Sequence, residues 1–320
     1  MNNTLSTPLW QPSARQVSET NLAKFTKGLK LPNDYTILHA WSVDNKDLFW
    51  RAVWKHCKIV GDIGSDRVLI NENKLLESTF FPDATLNFAE NLLHNRGNQL
   101  AIISHLENGE QHRLTRNQLL EQVHALSSQF KNFNLEMGDR VAAFMPNTHE
   151  TVTTMLAATT LGGTFTSCSP DFGANGVVDR FSQTSPKILV ATSGYTYNGK
   201  FISSLPTIIE VCEQVPSIEH LILVTSLETG TTTRNTDIEK LSAQLTCQVH
   251  YYAELIATQA VGPLEFTRVP FNHPLYIMYS SGTTGTPKCI VHGTGGTLIQ
   301  HLKEHQLHVD VKPEDRLFYF

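Results

Sequence analysis

The chain has 320 residues, 40% of them hydrophobic and 17% charged, which suits a soluble globular protein with one large or two modest domains. A net charge of −5, with no basic stripe, argues against nucleic acid as a partner. There is no apolar leader and no long apolar run, so neither a signal peptide nor a membrane span is expected.

In chain order, residues 1–93 form an N-terminal region that holds all four tryptophans. Asp47 to Lys58 is predicted as a helix, with Phe49 and Val53, and Trp50, Trp54 and Cys57, at helical spacing. The tryptophans there read as core anchors rather than cofactor stackers. Leu100 to His105 reads as a strand. Thr115 with Gln118 offers a capping box for a helix running to about Phe133. Arg140 to Met145 is a buried strand ended by Pro146-Asn147. A helix from His149 to Leu161 follows, stopped by Gly162-Gly163. Next come a strand at Thr164 to Ser167, a helix near Val177 to Gln183 and a strand at Ile188 to Ala191. A further helix, Leu205 to Val215, and strand, Leu221 to Val224, complete the series. This alternation predicts an α/β fold with a doubly wound parallel sheet. Ser226 to Thr236 reads as a linker, and Thr297 to Leu307 as one helix. The five cysteines are widely spaced and odd in number, which argues for a reduced cytoplasmic setting.

The richest stretch is Tyr276-Ile277-Met278-Tyr279-Ser280-Ser281-Gly282-Thr283-Thr284-Gly285-Thr286-Pro287-Lys288. An apolar strand delivers hydroxyls, two glycines and a lysine into one turn. Glycine lets the backbone approach an anion, turn N–H groups can converge on it, and Lys288 adds charge. A P-loop needs four residues between its first Gly and its Gly-Lys pair, and a helix after it. Here two residues separate Gly282 from Gly285, and Cys289-Ile290-Val291-His292 reads as a strand. The loop is therefore expected to join two strands, with no helix dipole behind the phosphate. A plain polar hairpin turn is the alternative.

With these residues in hand, the chain resembles the adenylate-forming acyl-CoA synthetases. Tyr279 to Lys288 looks like their phosphate-binding signature, and His292-Gly293-Thr294-Gly295-Gly296 resembles the acetyl-CoA synthetase branch. Pro8-Leu9-Trp10-Gln11-Pro12-Ser13 and Phe81 to Leu93 are similar to the extension of short-chain members, giving an expected extension at 1–93 and a partial AMP-binding domain at 94–320. Ser167-Cys168-Ser169-Pro170-Asp171-Phe172-Gly173 is similar to acetoacetyl-CoA synthetases in particular.

The resemblance implies ATP-dependent ligation of a short β-keto acid, acetoacetate, to coenzyme A through an acyl-adenylate, with Mg²⁺ on the phosphates. Acetate and propionate remain open as acids, as does a non-catalytic nucleotide- or partner-binding module. Small molecules are the implied partners. The phosphates would meet Ser280, Ser281, Gly282, Thr283, Thr284, Gly285 and Lys288; the nucleotide end of CoA would meet Ser169, Pro170, Asp171 and Lys200. On its residues alone Lys200 reads first as a solvated surface lysine. In the family, the elements holding adenine, the acyl pocket and the adenylating lysine come later than this stretch. The terminal run Asp315 to Phe320 is accordingly read as a cut inside a domain, leaving no catalytic residue within the chain. The expectation is an inactive, poorly soluble piece. His301, His305 and His308 share a helix at metal-like spacing and are expected to be a solvated face; no metal site is expected.

Overall fold

A computed structural model describes residues 8–225, 240–281 and 285–318. The expected linker at Ser226 to Thr236 lies outside them. The chain clusters into two compact units, one of residues 60–62 and 85–295, the other of residues 1–59, 63–84 and 296–320.

Among the described residues the main strands of the first unit are β1 (Arg140–Phe144), β2 (Thr164–Cys168), β3 (Ile188–Thr192), β4 (His220–Val224), β5 (Gln248–Tyr251), β6 (Pro274–Tyr279) and β7 (Cys289–Gly293). Of these, β1, β3 and β4 are near-continuous buried runs, the pattern of strands covered on both faces. All seven form one sheet in the order β5-β4-β3-β1-β2-β6-β7. The pairs β1–β2, β1–β3, β3–β4, β4–β5 and β2–β6 are parallel, and only β6–β7 is antiparallel. The first five strands thus follow the doubly wound order 2-1-3-4-5, whose reversal beside β1 opens a crevice at the carboxyl edge.

Helices α1 (Arg116–Asn132), α2 (His149–Thr160), α3 (Ala174–Thr184) and α4 (Leu205–Gln214) cover the sheet. On one side α3 and α4 pack together, and Val177, Phe181, Ile208 and Val211 join Ala142, Phe144, Leu189, Ala191 and Leu221 in one core. Elsewhere α1 packs on α2, which contacts β1 and β2. The capping box is present: Gln118 N donates to Thr115 Oγ1 at 3.2 Å and Thr115 N to Gln118 Oε1 at 2.9 Å. The glycine stop after α2 is a Schellman motif, with Gly162 at φ 75° and Gly163 N donating to Ala158 O at 2.9 Å. Buried Asn87 holds the same end, its Nδ2 donating to Thr159 O, Thr160 O and Thr267 O at 2.8, 3.2 and 2.7 Å.

Two hairpins were absent from the sequence expectations. Leu100–His105 pairs with Gln111–Thr115, and Gly194–Tyr197 with Lys200–Ser203. The second strand of the first is Gln-His-Arg-Leu-Thr, with Leu114 alone apolar and buried, so no apolar alternation marks it.

In the second unit the helix Lys46–His56 buries Val53 and Trp54, and Cys57 follows it into the core. Trp54 lies 5.1 Å from the Phe81 ring and Trp50 meets Phe80 edge-on, as core anchors do. The helix expected over Thr297 to Leu307 differs: it spans Thr294–Lys303 and then widens to a π turn, Glu304–His308, with Val309 N bonded to Glu304 O. The extra residue in that turn leaves Leu307 buried, a phase that helical periodicity does not reveal. Among the described residues no helix is long and apolar enough to cross a membrane.

Candidate functional site

The phosphate-loop segment is the connection of the β6–β7 hairpin. Tyr279 pairs with Cys289, Met278 with Ile290 and Ile277 with Val291; one irregularity lies between Pro274 and Tyr276. A strand, not a helix, therefore follows the loop. At the neck, Ser280 N donates to Lys288 O at 3.0 Å and Lys288 N donates to Ser280 Oγ at 2.9 Å. Accepting that amide leaves the Ser280 hydroxyl hydrogen free to donate outward. Ser281, Gly285 and Lys288 are exposed, and Gly285 sits at φ 130°, a conformation L side chains rarely adopt. Gly282, Thr283 and Thr284 lie outside the described residues.

Three supports of this neck went unread in the sequence. Gln183 of α3 donates through Nε2 to the Pro287 carbonyl at 3.0 Å and accepts the Cys289 thiol at 3.7 Å. The Tyr279 hydroxyl lies 2.8 Å from Thr166 Oγ1 of β2 and 3.3 Å from Thr184 Oγ1 at the end of α3. Burial pushes the Tyr279 phenol up to about 12, so it stays a neutral anchor. Burial also raises the Cys289 thiol, which suits a donor to Gln183 rather than a nucleophile.

The residues read as CoA contacts sit on the same edge. Ser169, Pro170 and Asp171 form the turn from β2 into α3, closed by Phe172 N donating to Ser169 O at 3.2 Å; Ser169 and Asp171 are exposed and Pro170 is buried. Lys200 is exposed opposite Tyr197, across a two-residue turn in which Asn198 and Gly199 have φ 49° and 70°. The structure brings turn and hairpin together: the Tyr195 phenol is raised first by burial, then by the Asp171 carboxylate and Tyr197. Tyr195, Tyr197 and Lys200 share a hairpin face by strand alternation.

A cavity of about 270 Å³ opens at the carboxyl ends of β1, β3 and β4, beside Met145, Thr192, Tyr195 and Val224. A larger one, about 610 Å³, lies by Leu135 and Met137 at the amino end of β1, away from these groups. Among the described residues no group of three or more His, Cys, Asp and Glu is placed to hold a metal. His301 and His305 are 6.2 Å apart between ring centres, and His308 Nε2 lies 3.1 Å from Lys303 Nζ.

A hydroxyl- and lysine-bearing hairpin at the carboxyl edge of a doubly wound sheet has the donor chemistry of an anion-binding α/β protein. Residues 89–320 match the family described as AMP-binding enzyme, and the chain belongs to that family. It is 41% identical to the acetoacetyl-coenzyme A synthetase of Rhizobium meliloti (strain 1021) over 98% of the chain and 47% of that protein. It is 34% identical to a malonamoyl-CoA synthetase of Penicillium aethiopicum, over 97% of the chain and 44% of that protein. The solved acetoacetyl-CoA synthetase from Streptomyces lividans matches with a TM-score of 0.86 and 34% identity, covering 97% of this chain and 47% of that one. The chain spans about half the length of the relatives it matches.

Proposed function

We propose that this chain forms the phosphate-binding surface, and part of the CoA-binding surface, of an ATP-dependent acid–thiol ligase acting on acetoacetate. The carrying observation is the Ser280–Lys288 neck, which presents hydroxyl and ammonium donors and no carboxylate among the loop's described residues. Likeness to acetoacetyl-CoA synthetases supports the choice of acid.

The acid's carboxylate attacks the α-phosphate of ATP, forming the acyl-adenylate and releasing pyrophosphate; the CoA thiol then displaces AMP. Both steps rest on positioning and charge stabilisation. Ser280, Ser281, Thr283 and Thr284 donate hydroxyl bonds to the β- and γ-phosphates, Gly282 and Gly285 offer backbone N–H groups, and Lys288 neutralises charge growing on pyrophosphate. The donor set fits an anion; the loop offers no carboxylate among its described residues to hold a metal itself, and Mg²⁺ arriving with the nucleotide would supply charge neutralisation at the phosphates. On the CoA side, Ser169, Pro170 and Asp171 form the turn, and exposed Lys200 would offer a positive charge to the nucleotide phosphates.

The test is pyrophosphate release by the protein that carries this chain, with acetoacetate, acetate, propionate and malonamate compared. The reading expects the highest kcat/KM with acetoacetate. A much higher value with acetate removes the assignment of acid. ATP binding without acid-dependent pyrophosphate release points instead to a nucleotide-binding module.

A further inference from the structure

Arg180 of α3 is 7% exposed and lies against aromatic rings, with no ion pair among the described residues. Its guanidinium carbon lies 4.4 Å from the Phe172 ring centre and 5.7 Å from that of Tyr279, and its Nη1 donates to Gly176 O at 2.6 Å. A buried cation without a counter-charge is costly unless π faces and hydrogen bonds replace its water. Gly176 leaves room for the stack: a Cβ there would stand 3.3 Å from the Phe172 ring and 3.6 Å from Arg180 Nη1. Nearby, Cys168 at the end of β2 feels the same charge.

The two rings belong to different loops. Phe172 closes the turn that begins at Ser169, and Tyr279 is the last residue before the Ser280–Lys288 neck. Tyr279 is itself fixed at its hydroxyl by Thr166 and Thr184. Phe172, Arg180 and Tyr279 are thus one column running from the turn after β2 to the base of the phosphate hairpin.

We propose that Arg180 is a positioning residue that couples occupancy of the phosphate hairpin to the order of the Ser169–Gly173 turn. The proposal rests on the phosphate-binding reading above. Filling the loop steadies the backbone at Tyr279, whose hydroxyl is already held, and the restraint passes through the guanidinium to Phe172, so the surface offered to the second substrate is set by the first.

The probe is tripolyphosphate added to the protein that carries this chain, read by amide exchange at single residues. In the parent chain it should slow exchange at Ser280 and Lys288 and also at Phe172, whose amide bonds Ser169 O. In Arg180→Met the neck should still respond, with affinity weakened about tenfold, and the response at Phe172 should vanish. Arg180→Lys should not restore it, because an ammonium cannot lie flat between two rings. Phe172 is 39% exposed, so Phe172→Leu spares the core and should also abolish the response at position 172; it decides the matter if the Arg180 variants fail to fold. A turn response that survives these substitutions overturns the coupling, as does a parent neck that responds alone. A parent neck that ignores tripolyphosphate overturns the phosphate-binding reading and the coupling with it.

Discussion

The Ser280 hydroxyl accepts the Lys288 amide at 2.9 Å while the Ser280 amide donates to the Lys288 carbonyl at 3.0 Å, so one side chain extends the ladder by half a pair. The width of the loop's mouth is therefore set by an oxygen of Ser280. Ser280→Ala removes the acceptor and keeps the backbone bond. Exchange of the Lys288 amide should rise about fivefold, the effect of one hydrogen bond of about 1 kcal/mol. Ser280→Thr should retain the slow rate. An unchanged rate in Ser280→Ala would mean that the backbone alone holds the neck.

Gly285 and Lys288 should fail in distinguishable ways. Gly285 has φ 130°, and a Cβ there would meet nothing within 4 Å, so Gly285→Ala adds backbone strain of about 1–3 kcal/mol without a clash. Its tripolyphosphate affinity should drop while the salt dependence stays as in the parent. Lys288→Ala should lose affinity and flatten that salt dependence, because an exposed charge has gone. Calorimetric titration at two ionic strengths separates them; parental binding in both would make the segment an ordinary turn.

Asn87 is 1% exposed and serves two elements at once. Its Oδ1 caps the helix Phe88–Leu93 by accepting Glu90 N at 3.1 Å, and its Nδ2 reaches three carbonyls, two of them at the end of α2. Asn87→Ala takes the amide donor from Thr267 O and the cap from Glu90 N, while Thr159 O and Thr160 O keep Gly162 N and Thr267 N, at an expected cost of about 2–4 kcal/mol in urea unfolding. Asn87→Asp should cost at least as much, since a carboxylate cannot donate. A loss below about 0.5 kcal/mol in both would show that water replaces the amide.

Acid should weaken this fold through a histidine pair. His220 Nδ1 lies 3.1 Å from His250 Nε2, and Phe133 stacks on the His220 ring and tilts against that of His250. Both pKa values are lowered: His220 first by burial, then with Glu219 opposing and Lys187 adding, and His250 by burial and then by His220. With folded values below the unfolded one near 6.5, the unfolded chain binds more protons in between. Stability is then full above about pH 6.5 and falls as pH drops through the folded values. Urea midpoints from pH 8 to pH 5 should decline, and His250→Gln should decline less. Equal slopes for parent and variant would assign the acid sensitivity elsewhere.

The sheet was legible because each of its central strands is a run such as Ile188–Thr192 or His220–Val224, apolar on both faces, between helices with readable caps. The phosphate hairpin was legible because its chemistry is contiguous, from Tyr279 to Lys288. What steadies it was not. Thr166 and Gln183 lie more than 100 residues from their partners in the hairpin, and Arg180 looks in sequence like any helix arginine. The hairpin Gly194–Tyr197 with Lys200–Ser203 has its Asn198-Gly199 signal in plain view, but half-exposed strands hid it.

The irregularity in β6 fixes something no single contact does. Pro274 faces Gly293, yet Tyr276 faces His292, so β6 carries one more residue than its partner at Leu275. Because strand side chains alternate, an added residue inverts every position beyond it. Tyr279 thereby lands on the side of Thr166, Thr184 and Arg180, while Met278 turns outward, 48% exposed. Leu275 acts as a phase setter: removing that one residue would leave the Ser280-to-Lys288 composition intact and mount the loop upside down on the sheet.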